Sequence, residues 1–105
     1  MRPVSDTEDF DAILEDHSLV LVDFTASWCG PCKRIKPSLK IMDTEFENVF
    51  FCTVDVDQCE ELAKTYEIFS MPTFHFFKNG KLVPDLTITG ANEKEIRESL
   101  KTFNH

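Results

Sequence analysis

No apolar run in this chain approaches the roughly 18 residues of a membrane span, and no repeat, low-complexity stretch or Ser/Gly linker interrupts it. Positive charge is scarce. Eleven Lys and Arg against nineteen Asp and Glu leave a net charge of −8, so the molecule repels phosphate backbones and anionic lipid, and neither nucleic acid nor membrane is an expected partner. Six acids, Asp6, Glu8, Asp9, Asp11, Glu15 and Asp16, crowd the first seventeen residues and read as a solvated helix face. The start Met1-Arg2-Pro3-Val4-Ser5-Asp6 turns acidic where a signal peptide needs its apolar region. The tail Thr102-Phe103-Asn104-His105 resembles no retention signal, so a cytoplasmic location is expected.

At 105 residues, 42% of them hydrophobic and 29% charged, the chain has a globular rather than a fibrous or disordered profile. One domain, residues 1–105, is expected. Ten Phe against one Trp and one Tyr point to a dry core. After a short edge segment at Pro3 and Val4, Ser5 with Glu8 three residues on reads as a capping box opening a first helix with Phe10, Ile13 and Leu14. Leu19 to Phe24 is a nearly continuous apolar run suited to a central strand covered on both faces. From about Gly30, Cys32, Ile35, Leu39, Met42 and Phe46 trace one face of a long helix, which Pro37 should kink. Val49 to Val56 reads as a further buried strand, Asp57 as the cap of a helix carrying Cys59, Leu62, Ala63 and Tyr66. Thr73 to Phe77 and Leu82 to Thr89 flank an Asn79-Gly80 hairpin turn, with Pro84 marking the second arm as an edge or bulged strand. A closing helix starts near Asn92, with Ile96, Leu100 and Phe103 buried. The order predicts an α/β fold, a mixed sheet with helices on its faces.

In such a sheet reactive groups belong where a strand ends and the next helix begins, and Trp28-Cys29-Gly30-Pro31-Cys32 falls at such a junction. Two cysteines at this spacing close a small disulfide ring, and opening it moves two electrons. Cys32 is in register with the buried stripe, whereas Cys29 precedes the first turn, which makes Cys29 the exposed candidate nucleophile. The helix dipole and its unpaired amides favour a thiolate there. Lowering the pKa from about 8.5 to about 7 raises the ionised fraction about sixteen-fold. Because nucleophilicity falls with basicity, the net gain in attack rate is only about three-fold. Positioning must supply the rest.

Asp23, an isolated carboxylate in a strand of Leu and Val, is costly to bury as an anion, so its pKa should rise. Placed under the helix start, it accepts the Cys32 proton directly or through water; the alternative is a charge at a solvent-facing strand end. Cys52 and Cys59, six residues apart, lack zinc-knuckle spacing, and His17, His75 and His105 show no ligand spacing, so no metal is expected. Cys52 and Cys59 read as small buried hydrophobes, with a regulatory oxidation role as the alternative. Trp28 is either core or a landing surface for a protein chain beside the nucleophile.

Val22-Asp23-Phe24, Trp28-Cys29-Gly30-Pro31-Cys32-Lys33, Met71-Pro72-Thr73, Lys78-Asn79-Gly80 and Gly90-Ala91-Asn92 together resemble the thioredoxin family over nearly the whole chain, most closely its cytosolic animal type. The resemblance implies the thioredoxin fold, a central mixed β-sheet flanked by helices. It implies a protein disulfide reductase in which Cys29 attacks, Cys32 resolves and Asp23 assists proton transfer. Pro72 would be a cis-proline facing the dithiol, and Met71 would offer backbone groups to an extended client peptide. Trp28, Thr89, Gly90 and Ala91 would complete the docking surface. No cofactor would be bound; electrons would come from NADPH through thioredoxin reductase, and the other partners would be disulfide-containing client proteins, met by a monomer.

Gly30-Pro31 between the cysteines is the pair of the reducing members, so a strongly reducing potential is expected. Three departures stand out. The stretch from Gly80 to Gly90 is two residues longer than the family norm, Thr53 stands where bacterial members place a lysine near the buried acid, and Ser70 replaces a surface cysteine used for covalent dimers. Cys59 matches a non-catalytic cysteine of the animal type. A binding module controlled by its dithiol state and a secretory oxidase or isomerase are the competing readings.

Overall fold

Leu19 to Thr25 form the middle of the sheet because alternate residues meet an apolar layer on each face. Leu21 belongs to a core with Ile35, Leu39, Met42, Ile96 and Leu100, while Val20, Val22 and Phe24 belong to a second core with Phe10, Ile13 and Leu62. A run with no polar alternation is what such double coverage requires. The computed structural model describes residues 1–104; His105, counted above with the histidines and the tail, lies outside the described residues.

The strands are β1 (Arg2–Pro3), β2 (Leu19–Thr25), β3 (Phe50–Asp55), β4 (Thr73–Lys78), β5 (Lys81–Leu82) and β6 (Ile88–Thr89); the helices are α1 (Thr7–Asp16), α2 (Gly30–Glu45), α3 (Glu60–Thr65) and α4 (Glu93–Phe103). The sheet order is β1-β3-β2-β4-β5, with β6 also paired to β4. Strands β1, β3 and β2 are parallel; β4 runs antiparallel to β2, β5 and β6. The α2 and α4 stripes cover one face, and α1 with α3 covers the other. The fold is the mixed, helix-flanked sheet that the sequence implies.

Several local expectations hold. Asn79 and Gly80 adopt the positive φ values of a tight turn, +51° and +78°. Asn92 caps α4, its side chain accepting from the Glu95 N–H over 3.0 Å. The long helix from Gly30 forms as α2, Gly30–Glu45, with Cys32, Ile35, Leu39 and Met42 buried along it.

Others are corrected. Asp6, not Ser5, caps α1, accepting from the Asp9 N–H at 2.8 Å, and Asp9 in turn accepts from the Ser5 N–H at 2.8 Å. Asp57 caps no helix; Cys59 occupies that position at the start of α3 without a side-chain capping bond. The expected strand from Leu82 to Thr89 is broken by a 3₁₀ turn at Pro84–Leu86. Proline cannot donate to a strand ladder, so bonding to β4 ends with the Val83 N–H donating to Phe76 O over 2.8 Å, and pairing resumes at Ile88.

Candidate active site

Strand β2 ends at Thr25, and the chain turns through Ala26 to Cys29, whose N–H donates to Ala26 O over 3.2 Å. Cys29 is then the N-cap of α2, and its Sγ accepts from the Cys32 N–H at 3.2 Å. A sulfur here satisfies one of the helix's unpaired first-turn amides. Pro31 sits in the first turn, where its missing N–H costs nothing. Cys32 lies one turn in, on the stripe that continues with Ile35 and Leu39. The two cysteines are joined as a disulfide, with their Cα atoms 5.3 Å apart.

The expected contrast between an exposed Cys29 and a tucked Cys32 is corrected: Cys29 is 5% exposed and Cys32 3%. In the oxidised pair each sulfur covers the other, and Ala26, Val56 and Met71 pack around them. The flanking residues Trp28 and Gly30 are exposed, so Cys29 lies just beneath the surface. Position rather than exposure distinguishes the two, Cys29 at the cap and Cys32 inside the helix.

The Met71–Pro72 peptide is cis, and Met71 O lies 3.6 Å from Cys29 Sγ. The Gly90 N–H donates to Pro72 O over 2.8 Å, and Thr89 pairs with Thr73 in the sheet. Gly90 takes φ +102°, a conformation that side chains disfavour. Thus two loops distant in sequence, 71–72 and 89–90, are tied together at the site. Ala91 follows, exposed. Trp28 is 66% exposed and not core; its indole N–H donates to Asp57 Oδ2.

Counting from Leu21 by the strand period of two places Asp23 on the α2 face of the sheet. It is 3% exposed, paired across the sheet with Thr53 and Phe74. Burial raises its pKa from 3.8 to about 7, against a smaller opposing pull from the Lys36 ammonium. The solvent-facing alternative for Asp23 is therefore excluded. Lys36 also lines a cleft of about 410 Å³ with Thr25, Cys32 and Asp55, so Asp23 and Cys32 share a cationic neighbour. Asp23 Oδ1 has no hydrogen-bond partner among the described residues.

Cys52 is fully buried beside Val22, and burial pushes its thiol up to about 12. Cys59 is buried against the Val4 and Ser5 carbonyls, its pKa raised by burial and then by Asp55, Asp6 and Asp9. Both are free thiols. Among the described residues, no group of three or more His, Cys, Asp or Glu side chains is placed to hold a metal, and no helix is long and apolar enough to cross a membrane. Sequence reasoning missed Asp57 as the partner of Trp28 and Lys36 as the positive charge acting on the buried acid. Helical spacing held a signal only for Lys36, four residues after Cys32.

A reversible cysteine pair at a helix start, set against a cis-proline loop on a mixed sheet, defines the class of protein dithiol–disulfide oxidoreductases. Comparison with known proteins narrows this. The thioredoxin family model matches residues 2–102. The chain is 50% identical over 95 residues to the thioredoxin of Geodia cydonium, covering 89% of each, and 40% identical to that of Gallus gallus over 98% of each. The solved thioredoxin of Fasciola hepatica superposes with a TM-score of 0.92 at 41% identity, over 98% of this chain and 99% of that one. The chain belongs to the thioredoxin family. It is a protein disulfide oxidoreductase working through the Cys29–Cys32 disulfide.

Proposed function

We propose that the chain acts as a single domain, 1–105, and as a monomer in the cytoplasm, reducing client disulfides in two displacement steps. The Cys29 thiolate attacks one sulfur of the client disulfide; the other client sulfur departs and takes a proton, leaving a mixed disulfide with Cys29. Cys32 then gives its proton to the Asp23 carboxylate, directly or through water, and attacks Cys29 Sγ. The second client sulfur leaves as a thiolate and takes up a proton from Asp23 or water, and the Cys29–Cys32 disulfide has taken up the oxidation that the client lost. Thioredoxin reductase returns two electrons from NADPH; no cofactor is bound to the chain itself.

One observation carries the reading: the disulfide spans the N-cap and first turn of α2, with Met71 O 3.6 Å from Cys29 Sγ. Once reduced, a Cys29 thiolate would be held by the same Cys32 amide and by the helix dipole. An Asp23 pKa near 7 makes that carboxylate a proton acceptor matched to neutral pH. The client would lie in extended form along Met71 and Pro72, with Trp28, Thr89, Gly90 and Ala91 completing its contact surface.

The test is turnover of insulin disulfides with NADPH and a thioredoxin reductase. Continuous NADPH oxidation with insulin precipitation is expected. Cycling of the Cys29–Cys32 bond without insulin turnover would instead make the chain a redox-controlled binding module.

A further inference from the structure

Three large apolar side chains stand exposed among the described residues: Trp28, Ile41 and Phe69. Two of them flank the disulfide. Trp28 adjoins Cys29, and Phe69, 89% exposed, precedes by two residues the Met71 carbonyl that touches Cys29 Sγ. The segment bearing Phe69 is not a frayed one. Before it, the Ile68 N–H donates to Ala63 O over 2.9 Å, and the Ile68 side chain packs on the core that contains Phe10 and Leu62. After it, Thr73 Oγ1 donates to Ser70 O over 2.7 Å. Backbone held on both sides presents the ring to solvent, giving up the burial that most phenylalanines of this chain achieve.

We propose that Phe69 determines client specificity, forming an apolar subsite for a large aliphatic or aromatic side chain that flanks the client cysteine under attack. The proposal rests on the reading that clients lie extended along Met71. The chain bends at residues 70–72, and Phe69 stands two residues before Met71, so a client side chain flanking the residue held at Met71 comes within reach of the Phe69 ring. The patch is continuous with the disulfide site through Ser70 and Met71. Glu67 beside it and the net charge of −8 repel an acidic flank. An apolar segment free of acidic residues is the occupant that fits.

The experiment uses the full reduced chain and two disulfide-bonded peptides differing only in Leu or Ser two residues from the cysteine. The reading is the ratio of their kcat/KM values. Phe69→Ser should reduce the Leu-to-Ser preference about five-fold, because the apolar area lost is part of one ring. Phe69→Leu should retain most of the preference, and Ile41→Ser should leave it unchanged. An unaltered preference in Phe69→Ser overturns the proposal. So does sedimentation showing that the unaltered chain dimerises through Phe69, which would assign the patch to a second copy. Reaction of the unaltered chain with a small hydroxyethyl disulfide separates the two levels: its failure overturns the redox reading, whereas normal reaction beside an unaltered peptide preference overturns the subsite alone.

Discussion

The indole N–H of Trp28 donates to Asp57 Oδ2 over 2.9 Å, joining residues 29 positions apart in sequence. One stands on the loop before α2 and the other on the turn after β3, so the bond fixes the rim of the disulfide site. A two-thirds exposed indole without it would sample several rotamers, and ordering them on binding would cost affinity. Asp57→Ala should lower client kcat/KM about five-fold, the effect of about 1 kcal/mol from one exposed charged hydrogen bond. Asp57→Asn, which keeps an acceptor, should recover part of that loss. Steady-state kinetics on one protein client checks both.

Asp23 gives a pH dependence of stability with a definite sign. Below pH about 4 the folded and unfolded chains both hold its proton, and burial of the carboxyl is tolerated. Between about 4 and 7 the unfolded chain releases the proton first, so stability falls as pH rises, and above about 7 the loss is complete. The interval from 3.8 to about 7 corresponds to about 4 kcal/mol. Asp23→Asn should therefore be more stable than the unaltered chain by several kcal/mol at pH 8 and similar to it at pH 3.5. Urea denaturation at the two pH values measures the difference.

Thiol reactivity should separate the two kinds of cysteine. The oxidised native chain should show no rapidly reacting thiol toward a maleimide or an aromatic disulfide reagent, because Cys52 and Cys59 are buried with raised pKa values. Denaturing it without reductant should reveal those two. Reducing the native chain should reveal Cys29 rapidly and Cys32 more slowly.

How much of this was legible in the sequence depended on whether the signal was local and periodic. The α2 stripe, the double-covered run of β2 and the Asn79-Gly80 turn each carry their pattern within a few residues, and each formed as expected. Strand parity also bears on Asp23, because Leu21 and Asp23 share the face beneath α2. Where two adjacent residues offered the same chemistry, pattern alone did not choose. Ser5 and Asp6 are each followed three residues later by an acid, and Asp6 won as Asp9 turned to meet the Ser5 amide and Arg2.

Long-range consequences were not legible. Asp57 looked like a cap because it precedes a helix, but its carboxylate is used by an indole from the other side of the site. Pro84 announced an irregular arm, yet a 3₁₀ turn of three residues was beyond what its presence alone specifies. The near-equal burial of Cys29 and Cys32 follows from Met71 and Val56 closing over the pair, a contact made by residues far along the chain. Met71, Pro72, Thr89 and Gly90 came from family resemblance, and the structure brings them together through the Gly90–Pro72 bond and the Thr73–Thr89 pairing.

The division of labour between the two sulfurs is tested most directly by trapping on paired single variants. Reduced Cys32→Ser, mixed with a disulfide-bonded client, should accumulate a stable mixed disulfide through Cys29, visible as one client mass added to the chain and removed by reductant. Cys29→Ser treated in the same way should form little adduct. Accumulation through Cys32 in Cys29→Ser, with none in Cys32→Ser, would reverse the roles and contradict the account of the helix-capping sulfur as the attacking one.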